Sequence, residues 1–179
     1  MGIVEQLPSL RPSYTHPRPI DANDALEGFD CGKPPLNDFL THRALKNEGK
    51  ASRTYVVCGA AGKSAQDVVG YYTLSAGAVS TDESPGWAKR NMPNPVPVIV
   101  LGRLAIHLKH QGRGLGSALM REAFQRTIEA SRHIGARALV VHAIDDEAVG
   151  FYTSYGFRRF PTDSRTLFLP IETIAASLK

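Results

Sequence analysis

Two stretches of this 179-residue chain carry residue types at spacings that suit chemistry. The first is Gln111-Gly112-Arg113-Gly114-Leu115-Gly116, which follows the apolar run Val98 to Ile106 and precedes a long amphipathic run. Glycines let a backbone bend sharply and let a ligand come close. The unpaired N–H groups of a first helical turn then point outward, and the helix dipole favours negative charge there. The spacing therefore predicts a strand, a glycine turn and a helix start that together cradle an anion. The turn lacks the Lys-Ser/Thr ending of a nucleotide P-loop. Its glycines are too close together for a dinucleotide fingerprint, and no acidic residue follows at the matching distance. The second stretch is Phe151-Tyr152-Thr153-Ser154-Tyr155-Gly156-Phe157, which places a phenol on a short helix closed by glycine.

The elements that must position these stretches are legible from periodicity. Pro8, Pro12, Pro17 and Pro19 discourage a helix in residues 1–19, which read as an extended arm or a first edge strand ending near Ile20. Asp21 to Phe29 has a cap-like Asp and Asn and is expected to hold a short helix. Pro34-Pro35 opens a helix whose apolar stripe is Leu36, Phe39, Leu40 and Ala44. Its other face carries His42, Arg43, Lys46 and Lys50. Thr54 to Cys58 and Val68 to Val79 read as strands joined by a small polar loop from Gly59 to Gln66, with a bulge at Gly70. Ser80 to Pro97 is irregular, holds four prolines, and delivers Trp87, Lys89 and Arg90 beside the next strand. Trp87 suits either stacking on an unpaired base or anchoring the loop.

Val98 to Ile106 is apolar almost throughout, as in a strand buried on both faces. The helix from about Gly114 would bury Leu119, Met120, Ala123, Thr127, Ala130 and Ile134, with Gly135 ending it. Ala138 to Ala143 is another buried strand. Asp145 and Asp146 cap a helix from Glu147 to Ser154. Thr166 to Leu169 pairs back, and a C-terminal tail over 170–179 forms a terminal turn or short helix. The length fits one domain over 1–179.

Bulk properties narrow the class. No apolar run approaches membrane-spanning length, and the N-terminal residues lack the apolar core of an export signal, so a cytoplasmic location is expected. Cys31 and Cys58 have no metal-ligand spacing, and no metal is expected; the two read as free thiols. The formal charge of +4 suits an anionic partner, with CoA and nucleic acid both eligible.

Gln-x-x-Gly-x-Gly after a long strand, followed by a buried strand and Phe-Tyr-x-x-Tyr-Gly-Phe, resembles the two hallmarks of the GNAT acyl-CoA N-acyltransferases. The resemblance implies a mixed α/β fold: a central mixed β-sheet with helices on both faces and a splayed strand pair. It implies acetyl-CoA as co-substrate, its pantetheine arm pairing with Leu104, Ala105 and Ile106. Its pyrophosphate would be held by Gln111, Gly112, Arg113, Gly114, Leu115, Gly116 and Ser117. Tyr152 would lie beside the sulfur. Further segments, among them Phe29-Asp30-Cys31-Gly32, Ala51-Ser52-Arg53-Thr54, Leu101-Gly102-Arg103-Leu104-Ala105 and Val141-His142-Ala143, resemble one branch, the toxins of type II toxin–antitoxin pairs. That branch acetylates the α-amine of aminoacyl-tRNA and blocks translation. It implies a ribbon-helix-helix antitoxin as partner and a homodimer. For the tRNA the candidate cations are Arg43, Lys46, Lys50, Lys89, Arg90 and Arg103, with Arg90 and Arg103 where the branch carries its basic acceptor-stem patch.

Three tasks face such an enzyme: deprotonating an amine, holding an oxyanion and protonating a thiolate. Tyr152 is the candidate for the third. A phenol near 10 against a thiol near 8.5 makes full proton transfer uphill by roughly 2 kcal/mol, so it acts best as a hydrogen-bonding acid. The oxyanion needs only a backbone N–H of the central strand. Many GNAT enzymes carry a glutamate on that strand as base; Leu101 to Ala105 offers no carboxylate. A lysine amine near 10.4 would need a base, whereas an α-amine near 7.7 is substantially neutral at pH 7. The absence favours an α-amine acceptor, with His107 and His142 as spare bases. An acetyltransferase of a small amine or of a peptide N-terminus is the alternative, and a non-catalytic acyl-CoA-binding module a third reading.

Overall fold

The computed structural model describes residues 13–59, 66–163 and 165–179. Most of the N-terminal arm (residues 1–12) and of the small polar loop (residues 60–65) lie outside the described residues. Seven strands form one mixed sheet: β1 (Arg18–Pro19), β2 (Arg53–Cys58), β3 (Val68–Val79), β4 (Val96–Ile106), β5 (Ala138–His142), β6 (Arg158–Arg159) and β7 (Thr166–Pro170). Their order is β1-β2-β3-β4-β5-β7-β6. Among the described residues six α-helices accompany them: α1 (Pro34–Asp38), α2 (Ala44–Asn47), α3 (Gly86–Lys89), α4 (Leu115–Ser131), α5 (Asp146–Ser154) and α6 (Ile171–Ser177).

The chain divides into two compact units, whose boundary falls within β3, β4 and α4. The first comprises Ser75–Gly102 and Phe124–Lys179 among its described residues; the second comprises residues 13–74, less the loop, and Arg103–Ala123. In the first unit β4 pairs with β5 in parallel, Ile99 to Leu101 opposite Leu139 to Val141. Gly102–Ile106 continue β4 beyond that register. β5 pairs antiparallel with β7 from Ala138 opposite Pro170 to His142 opposite Thr166. One apolar cluster joins Val98, Ala138, Val140, Phe160 and Phe168, with Trp87 packed against it. Trp87 lies tilted against Phe168 with ring centroids 5.3 Å apart, and the Arg137 guanidinium sits 4.9 Å over its ring. It therefore serves as the anchor of the 80–97 segment, which also gains the short helix α3.

In the second unit, β1 and β2 pair antiparallel, as do β2 and β3. Phe39, Leu40 and Ala44 pack with Val56, Tyr71 and Ala105 in its core. Full burial of the larger of these, Phe39, Leu40 and Val56, contributes about 1.5–3 kcal/mol each. The helix that carries them is interrupted: Phe39–Arg43 forms a π-helical turn between α1 and α2. This widening seats the Phe39 ring 3.7 Å beneath the Arg103 guanidinium.

Three expectations need correction. Asp21 to Phe29 forms turns rather than a helix. The Asp24 carboxylate accepts from Arg18 and from the Asp21 N–H, and Asp21 accepts from the Asn23 N–H, so the acids close local turns instead of capping. Helix α4 ends at Ser131, leaving Ile134 54% exposed instead of buried. The irregularity between β2 and β3 sets Val57 opposite Gly70 and Cys58 opposite Val68, so the extra residue is Val69 rather than Gly70.

Candidate active site

The second unit contains the glycine turn. Gly112 and Gly114 have φ of 72° and 84°, the left-handed region that a side chain disfavours. Ala118 N–H bonds to Gly114 O at 3.1 Å and opens α4. The turn is pinned from outside its own segment. His107 N–H donates to Val69 O and Leu108 N–H to Asp30 O, both at 2.8 Å. The Gln111 side-chain amide donates to Ile106 O (2.9 Å) and Cys31 O (3.3 Å). His107 Nδ1 accepts from Lys109 N–H, so its Nε2–H faces Gly28 O at 3.1 Å. Both ring nitrogens are thus engaged, and His107 is a structural histidine.

The cradle is tied down further by two residues the sequence did not single out. Tyr14 lies far from the turn in the chain, yet its hydroxyl accepts from Arg113 and shares a hydrogen bond with His110 Nδ1 at 2.9 Å. Burial, then the nearby Arg113, lowers the His110 pKa. No sequence signal links Tyr14 to His110. Asp30 receives Gly32 N–H and the Asn37 amide, and these bonds hold its carboxyl below the ordinary range.

Leu104, Ala105 and Ile106 form the last residues of β4. Arg43 and Lys46 are exposed on the helical segment over the same core, with Arg43 3.9 Å from Asp38, whereas Lys50, expected on the same helix face, is exposed in the turn after α2 ends at Asn47. Arg103 is half-buried on Phe39; burial and then Arg43 lower its pKa.

The first unit contains Tyr152, Lys89 and Arg90. Lys89 and Arg90 are exposed at the end of α3. Asp145 caps α5, accepting the Ala148 N–H at 2.8 Å, and Gly156 ends that helix with φ of 95°. Tyr152 is 7% exposed, its ring edge-on to Phe151 and Phe157. Burial pushes the phenol above the ordinary tyrosine range. Among the described residues no group hydrogen-bonds its hydroxyl. That oxygen is also absent from the fully sealed, unpaired ones. It is a protonated phenol on a packed ring with its polar end available.

A cavity of about 370 Å³ opens in the same unit between Val79, Val98, Val100, Val140 and Phe160, with Glu83, His142, Asp163 and Thr166 at its polar wall. His142 Nδ1 lies 3.0 Å from Thr166 Oγ1, and the Thr166 hydroxyl 2.6 Å from Asp163 Oδ2. Sequence reading noted His142 but neither partner. Among the described residues no group of histidine, cysteine and carboxylate side chains is arranged to hold a metal, and no helix is long and apolar enough to cross a membrane. Cys31 and Cys58 are buried and unbridged, and burial pushes the Cys58 thiol to about 11.

Comparison with known proteins places this arrangement. Residues 51–159 match the model of the acetyltransferase (GNAT) domain. The chain is 46% identical over 159 residues to a tRNA-acetylating toxin of Mycobacterium tuberculosis, spanning 87% of this chain and 92% of that protein. The structure of AtaT complexed with acetyl-methionyl-tRNAfMet superposes with a TM-score of 0.82 at 31% identity, over 93% of this chain and 99% of the other. A tyrosine-to-phenylalanine mutant of the AtaT toxin, bound to the C-terminus of the antitoxin AtaR and acetyl-CoA, superposes with a TM-score of 0.77 at 30% identity, over 93% and 99% of the two chains. With the GNAT match over most of the chain and 46% identity along nearly its full length, the chain is an N-acetyltransferase and belongs to the GNAT family, within which it is similar to tRNA-acetylating toxins.

Proposed function

We propose that this enzyme transfers the acetyl group of acetyl-CoA to the α-amine of aminoacyl-tRNA, so that the charged tRNA is lost to translation. The observation that carries the reading is the 46% identity to a tRNA-acetylating toxin along nearly the full length of both chains. The local chemistry supports it. The backbone of Gln111 to Ser117 receives the pyrophosphate, since a helix start with glycines at positive φ presents N–H groups to an anion. Leu104, Ala105 and Ile106, past the β5 register, offer main-chain groups to the pantetheine arm. Tyr152 hydrogen-bonds the departing sulfur and supplies its proton; a positioned acid of this kind contributes about 10²–10⁴-fold. A backbone N–H of β4 holds the oxyanion. Arg43, Lys46, Lys50, Lys89, Arg90 and Arg103 bind tRNA phosphates.

In this reading the protein works in the cytoplasm as a homodimer, and a cognate antitoxin of the ribbon-helix-helix class neutralises it. The test is direct. Purified protein is incubated with acetyl-CoA and total aminoacyl-tRNA, and the RNA 3′ ends are released by nuclease and weighed. One or more aminoacyl-adenosines gaining an acetyl mass support the function. Acetylation of small amines with every aminoacyl-adenosine unchanged would contradict it.

A further inference from the structure

Of the two spare bases, His107 and His142, only His142 lines the cavity of the first unit. His142 closes β5 on the cavity wall. Its hydrogen bonds fix which nitrogen carries a proton. A threonine hydroxyl has one hydrogen to give. Asp163, whose carboxyl is held below the ordinary range by the Thr166 bond and then by Arg165 N–H, is the ionised acceptor that takes it. The Thr166 oxygen must then accept from His142, so Nδ1 bears the hydrogen and Nε2 the lone pair. No other described group bonds to that ring. His107 differs: it spends both nitrogens on backbone.

We propose that the cavity receives the aminoacyl end of the acceptor and that His142 Nε2 takes the proton from its α-amine; the inference rests on the function proposed above. Thr166 and Asp163 act as positioning residues. Of the charged groups, Glu83 from the 80–97 segment and Asp163 from the β6–β7 loop share the cavity wall with His142, and Arg165 of that loop pairs with Asp146 of α5 at 3.5 Å. Glu83 and Asp163 make the polar wall of the cavity acidic, which suits an amine acceptor. The amine nitrogen attacks the thioester carbon, the N–C bond forms and the C–S bond breaks. The thiolate takes the Tyr152 proton, and the proton lost by nitrogen passes to Nε2. Asp163, through Thr166, stabilises the imidazolium until solvent returns both side chains to their starting states.

The test compares wild type with His142→Ala and His142→Gln on aminoacyl-tRNA at saturating acetyl-CoA. Both variants should lose about 10²–10⁴-fold in kcat/KM, and free imidazole should restore part of the loss in His142→Ala. Wild-type turnover with either variant within about three-fold of it overturns this inference alone, since a general base contributes far more. A loss that imidazole does not restore, in a protein that still binds acetyl-CoA, counts against it equally. A wild type that modifies no aminoacyl-tRNA overturns the function and this inference with it. Nitrogen-15 spectra of the wild type need no variant: they should show His142 with its proton on Nδ1, a preference lost in Thr166→Val. A ring protonated on Nε2 alone overturns the proposal.

Discussion

In the 103–118 segment, most of the groups that hold the turn are main-chain carbonyls, those of Gly28, Asp30, Cys31 and Val69, reached by backbone N–H groups and by the His107 and Gln111 side chains, with the Tyr14 hydroxyl on His110 and Arg113 as the side-chain exception. In the 138–170 segment, the polar contacts that matter run from side chain to side chain, His142 to Thr166 to Asp163; the same segment carries the Tyr152 phenol, which has no hydrogen-bond partner among the described residues. The difference separates two kinds of task. Holding a pyrophosphate needs donors at fixed places, which any backbone supplies once its dihedral angles are set. Moving protons needs particular groups in particular ionisation states, which only side chains supply. Substitutions in the first region should therefore act on acetyl-CoA affinity, and those in the second on turnover.

The sharpest way to break that contrast is Tyr152→Phe. It should lower kcat about 10²–10⁴-fold while acetyl-CoA affinity, measured by calorimetry, stays unchanged; equal loss of both would place Tyr152 in binding. Gly114→Ala is the converse. Forcing a side chain to φ of 84° costs about 1–2 kcal/mol, so acetyl-CoA should bind about ten-fold more weakly with kcat at saturation nearly intact. Gln111→Ala removes two hydrogen bonds to backbone and should cost about 1–3 kcal/mol of stability in denaturant unfolding. Arg90→Glu should weaken tRNA binding and reduce its salt slope by roughly one unit, leaving acetyl-CoA affinity unchanged.

The smallest effect concerns pH. The folded Asp30 carboxyl is depressed, so its contribution is present above the unfolded value and lost as pH falls through the folded one. Asp30→Asn should accordingly destabilise the protein at pH 7 and lose that difference under acid. An undiminished difference in acid would remove Asp30 from the turn's support.

Much of this contrast was readable in the chain. The glycine turn, its strand and its helix rest on local periodicity, and Val68–Val79 appears as a strand with the expected bounds. Asp145, Gly156 and α5 follow from capping chemistry within a few residues. What stayed hidden depends on distant pairing. The turns at 21–29 form because Arg18 claims Asp24 and because Ala25 bridges to Asp67. The π-helical turn at Phe39 and its contact with Arg103 require the tertiary core. Thr166 meets His142 only because β5 and β7 pair in that register. Tyr14 reaches His110 for a similar reason, across most of the second unit's chain length.

The most direct test of the central claim is a cell-free translation reaction supplied with the purified protein, with and without acetyl-CoA. The account predicts arrest only when acetyl-CoA is present, with acetylated aminoacyl-tRNA accumulating in step. Normal translation in the presence of acetyl-CoA, or arrest that does not depend on it, would contradict the account.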